Sequence, residues 1–151
     1  MRRIVSTLGV FAVIAGCAGH DATSPSSTDS GDSPGLLSDL GGHWTGTIEQ
    51  PGFQNYAIKV DVNGGAPLYS VFATVAYPDQ SCTGEWTAVS RTTGTQYHVL
   101  EHITSQPAPA TCIADVDIEL TYTASPRRLG VAIFVQGAIV ADGLLQPDAA
   151  Q

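Results

Sequence analysis

Along residues 112–122, apolar and polar side chains alternate without a break. Cys112, Ala114, Val116, Ile118, Leu120 and Tyr122 fall on one parity; Ile113, Asp115, Asp117, Glu119 and Thr121 fall on the other. Successive side chains of a strand point to opposite faces, so this parity describes a half-buried antiparallel strand and not an amphipathic helix. The same period runs through 43–49, where Trp44, Gly46 and Ile48 alternate with Thr45, Thr47 and Glu49. It runs again through 56–62, where Tyr56, Ile58, Val60 and Val62 alternate with Ala57, Lys59 and Asp61. Residues 68–77, 129–135 and 138–145 are apolar on both parities and read as strands whose outer face the pattern leaves open. Turn chemistry separates these runs: Asn63-Gly64-Gly65, Pro78-Asp79, Thr93-Gly94, Gln106-Pro107, Ser125-Pro126 and Gln136-Gly137. With the hairpin around Thr93-Gly94 the count is eight strands, and no helix of ten residues is expected. Residues 39–147 are therefore predicted to be one all-β domain, a small antiparallel meander barrel with a β-sandwich as the alternative.

The register of the Thr93-Gly94 hairpin follows from charge. Pairing Thr92 with Thr95 sets Ala88 opposite Val99, Trp86 opposite Glu101 and Gly84 opposite Ile103. A one-residue slip would oppose Glu85 and Glu101, two like charges. The first register makes Cys82, Gly84, Trp86, Ala88, Tyr97, Val99 and Ile103 one inward face and puts Glu101 among them. An inward carboxylate costs free energy unless it is hydrogen-bonded or shifts its pKa. Glu101 is thus either a structural acceptor for Trp86, a tyrosine hydroxyl or backbone amides, or a polar group in a ligand pocket. Trp86, Trp44 and Tyr97 are its candidate companions, with both tryptophans reading as core.

His98-Val99-Leu100-Glu101-His102 matches H-x-x-E-H, an inverted zinc-peptidase signature. That chemistry needs a helix, so that both histidines share one face and reach one metal. On a strand, residues four apart are separated by about 13 Å. His98 and His102 are expected to face outward, with His102 across from Glu85. Asp115, Asp117 and Glu119 form an acidic row along a strand, which spreads oxygens that calcium would need converged; a solvated face is expected, partly offset by Arg127 and Arg128. No metal and no cofactor is expected, and no G-x-S-x-G, phosphate loop or Cys–His pair supports nucleophilic chemistry.

The amino terminus carries a different signal. Arg2 and Arg3 precede an apolar run over residues 5–14, too short to span a bilayer, which needs about 20 residues. Ile14-Ala15-Gly16-Cys17 resembles the bacterial lipobox: an aliphatic residue, two small ones, then cysteine. The resemblance implies a signal peptide over 1–16, lipidation of Cys17, and export to the outer side of a bacterial cell membrane, with anchoring by two or three acyl chains. Residues 17–38, rich in Ser, Gly, Pro, Asp and Thr, read as a flexible tether, and 148–151 as a disordered tail. His20 and Asp21 fall within the tether and are expected to be solvated. Without Arg2 and Arg3 the chain keeps four basic residues against fourteen acidic ones, a formal net charge of −10. Such a charge argues against nucleic-acid partners, which are held by Lys and Arg. With Cys17 assigned to lipid, Cys82 and Cys112 remain as an even pair in an exported protein, where a disulfide is expected. In a meander both cysteines open strands running the same way, so they share one rim and the bond crosses strand five. Free thiols or half a metal site would need partners the sequence does not offer.

The succession Trp44-Thr45-Gly46, Tyr56, Tyr77-Pro78, Cys82-Thr83-Gly84, Glu101 and Cys112 resembles a small, lipocalin-like β-domain of exported bacterial lipoproteins. The resemblance implies a paired-cysteine β-barrel or sandwich and no particular activity. The expected function is a membrane-anchored, non-enzymatic surface lipoprotein of the cell envelope with a binding or interaction domain. A carrier of a small apolar ligand is one alternative; an inhibitor or accessory subunit of an extracellular enzyme, making contact through a loop such as 105–111, is another. The expected partners are the membrane, through the anchor, and an envelope protein or small apolar ligand.

Overall fold

In a computed structural model, residues 37–149 are described. The signal segment, Cys17 and residues 17–36 of the tether lie outside the described residues, as do residues 150–151 of the tail. Eight strands follow one another: β1 (Gly42–Glu49), β2 (Tyr56–Val62), β3 (Val71–Tyr77), β4 (Cys82–Arg91), β5 (Gln96–Ser105), β6 (Asp115–Ala124), β7 (Arg127–Val135) and β8 (Ala138–Pro147). Each pairs antiparallel with the next, and β8 returns to β1 to close a barrel. Closure leaves no exposed sheet edge. The only helical elements among the described residues are 3-10 turns over Ser38–Leu40 and Pro78–Gln80.

Closure depends on two glycines at the seam. Gly46 faces Leu145, and Ile48 faces Gly143. A Cβ on Gly46 would lie 2.5 Å from the Leu144 carbonyl oxygen, and one on Gly143 would lie 2.5 Å from that of Thr47. Only a hydrogen side chain lets the first and last strands approach this closely.

The alternation deduced from sequence sorts inside from outside. Val116, Ile118 and Leu120 of β6 are buried while Asp115, Asp117 and Glu119 are exposed. The interior is filled by Trp44, Trp86, Tyr97 and Phe72 with aliphatic residues from every strand. Three local expectations are corrected. Residues 68–70 do not extend β3: Tyr69 adopts a left-handed backbone (φ 66°) and donates its N–H to the Ala88 carbonyl, which ends the ladder at Val71. Cys112 lies three residues ahead of β6, in the β5–β6 loop, so only Cys82 opens a strand. In the β4–β5 hairpin, Ala88↔Val99, Trp86↔Glu101 and Gly84↔Ile103 pair as expected. Past Ala88 a bulge leaves Val89 unpaired and slips the register, so Arg91 and not Ser90 opposes Tyr97. Thr92 and Thr95 are therefore not partners; the N–H groups of Thr92 and Thr93 both donate to the Gln96 carbonyl. The extra residue relieves the tip while the inward face of the stem keeps its parity.

The disulfide joins Cys82 to Cys112, with Cα atoms 6.6 Å apart. It ties the β5–β6 loop to the start of β4 across the end of β5, at the rim anticipated from meander topology.

Candidate functional site

An antiparallel meander gathers its connections at two ends, and here the ends differ. At the first, where β1 begins and β8 finishes, the chain closes its own barrel. Leu37 and Leu40 are fully buried there, beside Trp44. The Trp44 indole N–H donates to the Leu40 carbonyl at 2.7 Å. The Tyr122 ring stands edge-on to it, with centroids 6.4 Å apart. The Arg127 guanidinium lies 4.6 Å from the Trp44 ring centroid and donates to the Gly41 carbonyl. Arg127 thus serves the plug and does not offset the acidic row of β6, whose residues begin at the other end.

The second end is open. It holds a cavity of about 340 Å³ reaching into the barrel interior. Its walls include Phe53, Tyr56, Ile103, Ile113, Val140 and the disulfide residue Cys112. Glu101 is the one acidic residue lining it, and no Lys, Arg or His does so. Parity explains its position: β5 carries Tyr97, Val99 and Glu101 inward, and His98, Leu100 and His102 outward. The H-x-x-E-H run is therefore split between the two sides of the sheet. His98 Nε2 meets Asp117 at 2.9 Å and His102 Nδ1 meets Asp115 at 2.7 Å, on the barrel exterior. His102 is aligned with Glu85 on β4 as expected, but its ring bonds across to β6 instead.

Glu101 is 4% exposed and fully engaged on one oxygen. Its Oε1 accepts the Tyr77 hydroxyl at 2.7 Å and the Trp86 indole N–H at 3.0 Å. Tyr77 in turn packs against Tyr56, with centroids 5.8 Å apart and planes at 69°. Burial pushes the Glu101 carboxyl above its ordinary pKa, while the two donors pull the other way. Burial also raises the Tyr77 hydroxyl well above its usual value, and the Glu101 charge and hydrogen bond add to the rise. Tyr56 is raised by burial and then by Glu101. Every buried polar side-chain atom among the described residues has a partner or solvent contact, and neither donor reaches Oε2. Oε2 is therefore the oxygen that keeps contact with the mouth. When the acid is protonated, its proton sits on Oε2, because Oε1 already accepts two bonds.

Local chemistry holds the rim in place. The Asp79 carboxylate accepts the Ala57 N–H at 2.7 Å, fixing the Pro78–Gln80 turn against β2. The Gln106 side chain accepts the Cys112 N–H at 3.1 Å, and the disulfide pins the same loop to β4. Glu101 and Trp86 are thus brought together as the register required. Trp44 and Tyr97 are buried away from the mouth: Trp44 in the plug, and Tyr97 with Arg91 lying 5.3 Å from its ring. Sequence reasoning named Tyr56 and Tyr77 only as landmarks of the resemblance and did not place them beside Glu101. Both sit on the inward parity at the mouth ends of their strands, and the need of an inward carboxylate for donors was the available signal. Leu37 and Leu40 as a plug were also missed; two leucines beside a Ser/Gly-rich stretch were the cue. Comparison of the chain with protein families, curated proteins and solved structures finds no match.

Proposed function

We propose that this chain is an exported lipoprotein, anchored through Cys17, whose barrel is a non-enzymatic binding module with its site at the open mouth. One observation carries the reading: the chain seals one end of its barrel with Leu37, Leu40 and Trp44 and leaves at the other a cavity of about 340 Å³ floored by a fixed, buried carboxylate. Ligand sites are concave and mostly apolar, with a few placed polar groups, and run upward from about 300 Å³. The anchor is supported by the lipobox-like Ile14–Cys17 run, and export agrees with an oxidised Cys82–Cys112 pair. In this reading Glu101, fixed by Tyr77 and Trp86, serves as a held polar group of the binding site. The small cavity favours a carrier of a compact ligand as the second reading.

The test is done on intact cells and on protein purified from their envelope. A palmitate analogue should label the wild-type chain and not Cys17→Ser. Native mass spectrometry should find a small molecule that is lost when Ile103→Trp fills the mouth. An unlabelled wild-type chain removes the anchor, and a ligand retained equally by Ile103→Trp removes the mouth.

A further inference from the structure

The geometry points to a small organic cation, a protonated or quaternary amine with a compact apolar body, as the ligand class of the mouth. This inference rests on the mouth being a binding site. It follows from four features that converge there. First, Glu101 presents Oε2 to the cavity while Oε1 is fixed by Tyr77 and Trp86. The carboxylate cannot turn toward an incoming group without breaking two buried bonds, so it is a positioned counter-charge. Second, two tyrosine rings set at 69° to one another both line the cavity, and Phe53, 70% exposed, stands at its rim. Aromatic faces beside a carboxylate attract cations, most strongly where water is excluded.

Third, charge is distributed to suit. Arg91 closes β4, and Arg127 and Arg128 open β7, so all three arginines of the described residues lie at the plugged end. Lys59 points outward from the middle of β2. The mouth end carries Glu49, Asp79, Asp115 and Glu101. Fourth, most of the remaining wall is apolar, with Ile103, Val116, Ile133 and Val140 among it, and the other polar side chains there, Gln50, Gln80 and Thr111, carry no charge. Calcium would want six or more converging oxygens, several of them carboxylates, whereas the lining offers one carboxylate. An amine carrying a compact apolar body matches both the single charge and the apolar walls. A cavity of about 340 Å³ is large enough to admit such an ion.

The two tryptophans make the test internally controlled, because Trp86 donates to Glu101 and Trp44 to the plug. The full chain, purified in an uncharged detergent, is titrated with three probes while both indole N–H resonances are followed. The probes are benzyltrimethylammonium, its neutral carbon isostere neopentylbenzene, and the anion phenylacetate. The cation should shift the Trp86 signal saturably and leave the Trp44 signal still, binding about tenfold or more tightly than the isostere. Phenylacetate should not bind. Glu101→Gln keeps an acceptor for Trp86 and Tyr77; it should weaken the cation by about tenfold and leave the isostere unchanged. Tyr56→Leu, which removes one ring without touching the carboxylate, should weaken the cation more than the isostere. Equal binding of cation and isostere, or a cation affinity indifferent to Glu101→Gln, overturns the cationic class while keeping the mouth as a site. Preference for phenylacetate does the same. A Trp86 signal that none of the three probes moves overturns the proposal.

Discussion

The barrel buries two tryptophans, one in the plug and one bonded to the carboxylate of the open end, and the two indoles are satisfied in opposite ways. Trp44 donates to a backbone carbonyl four residues earlier, supplied by the segment that plugs its end. Trp86 donates to a carboxylate fifteen residues away, on the neighbouring strand, in a cavity that stays open. The plugged end is closed by a short local segment and braced by the Arg127 guanidinium over the Trp44 ring. The mouth concentrates a charge that burial disfavours and that two long-range donors hold. A protein that needed only a stable barrel could close both ends with leucine. The buried carboxylate at one end, kept despite its desolvation cost, is the feature on which the proposed binding role of that end rests.

The comparison can be broken from either side. The largest effect should come at the mouth, from replacing Cys82 and Cys112 together by alanine. Opening a covalent loop with a sequence separation of 30 should remove about 3–4 kcal/mol of stability in the chain-entropy treatment, measured by urea unfolding. The Trp86 indole resonance should move and that of Trp44 should not. A drop below about 1 kcal/mol would mean that the mouth loop is held by its other contacts.

At the plugged end Leu40→Ala should cost about 3 kcal/mol, the middle of the range for a fully buried leucine. Here the Trp44 resonance should respond and Trp86 stay still. If both indoles move, the two ends are coupled through the core and the contrast between them fails.

Glu101→Leu should cost about 2 kcal/mol. It strands the Tyr77 hydroxyl and the Trp86 N–H, each worth about 1–3 kcal/mol when buried without a partner, and removes the desolvation cost of the carboxylate. A neutral or stabilising outcome would show that water from the mouth reaches both donors.

The smallest effect sharpens the electrostatics. Burial raises the Glu101 pKa in the folded protein above its unfolded value, so the folded state holds this proton more tightly. The stability this contributes is fully present below the ordinary glutamate value of about 4.3 and is lost as pH rises through the raised folded value. The stability of the wild type minus that of Glu101→Gln should therefore fall as pH rises across that window, since the other carboxylates cancel in the difference. A difference that rises with pH would mean that the Tyr77 and Trp86 bonds outweigh burial.

Much of the barrel was legible because strand parity is a local property. Val116, Ile118 and Leu120 could be placed inside and Asp115, Asp117 and Glu119 outside from their spacing alone. The same rule, with one like-charge clash to avoid, placed Glu101 inward opposite Trp86. Parity failed where the backbone left the pleat. Tyr69 in a left-handed conformation ended β3 early, and the unpaired Val89 moved the hairpin tip by one residue. Neither event leaves a trace in apolar periodicity, because each is a backbone choice at a single residue.

The amino-acid sequence by itself determined the strands, the faces they bury, the inward Glu101 and the cysteine pair available for a bond. All of these depend on residues one or two apart, or on simple counting. Tertiary structure decided between barrel and sandwich through the close β1–β8 approach at Gly46 and Gly143. It also decided which end is sealed and which is open. That asymmetry rests on Arg127 reaching Gly41 across 86 residues and Tyr77 reaching Glu101 across 24. Such pairings are fixed only when the sheet has closed and brought distant strands to one rim.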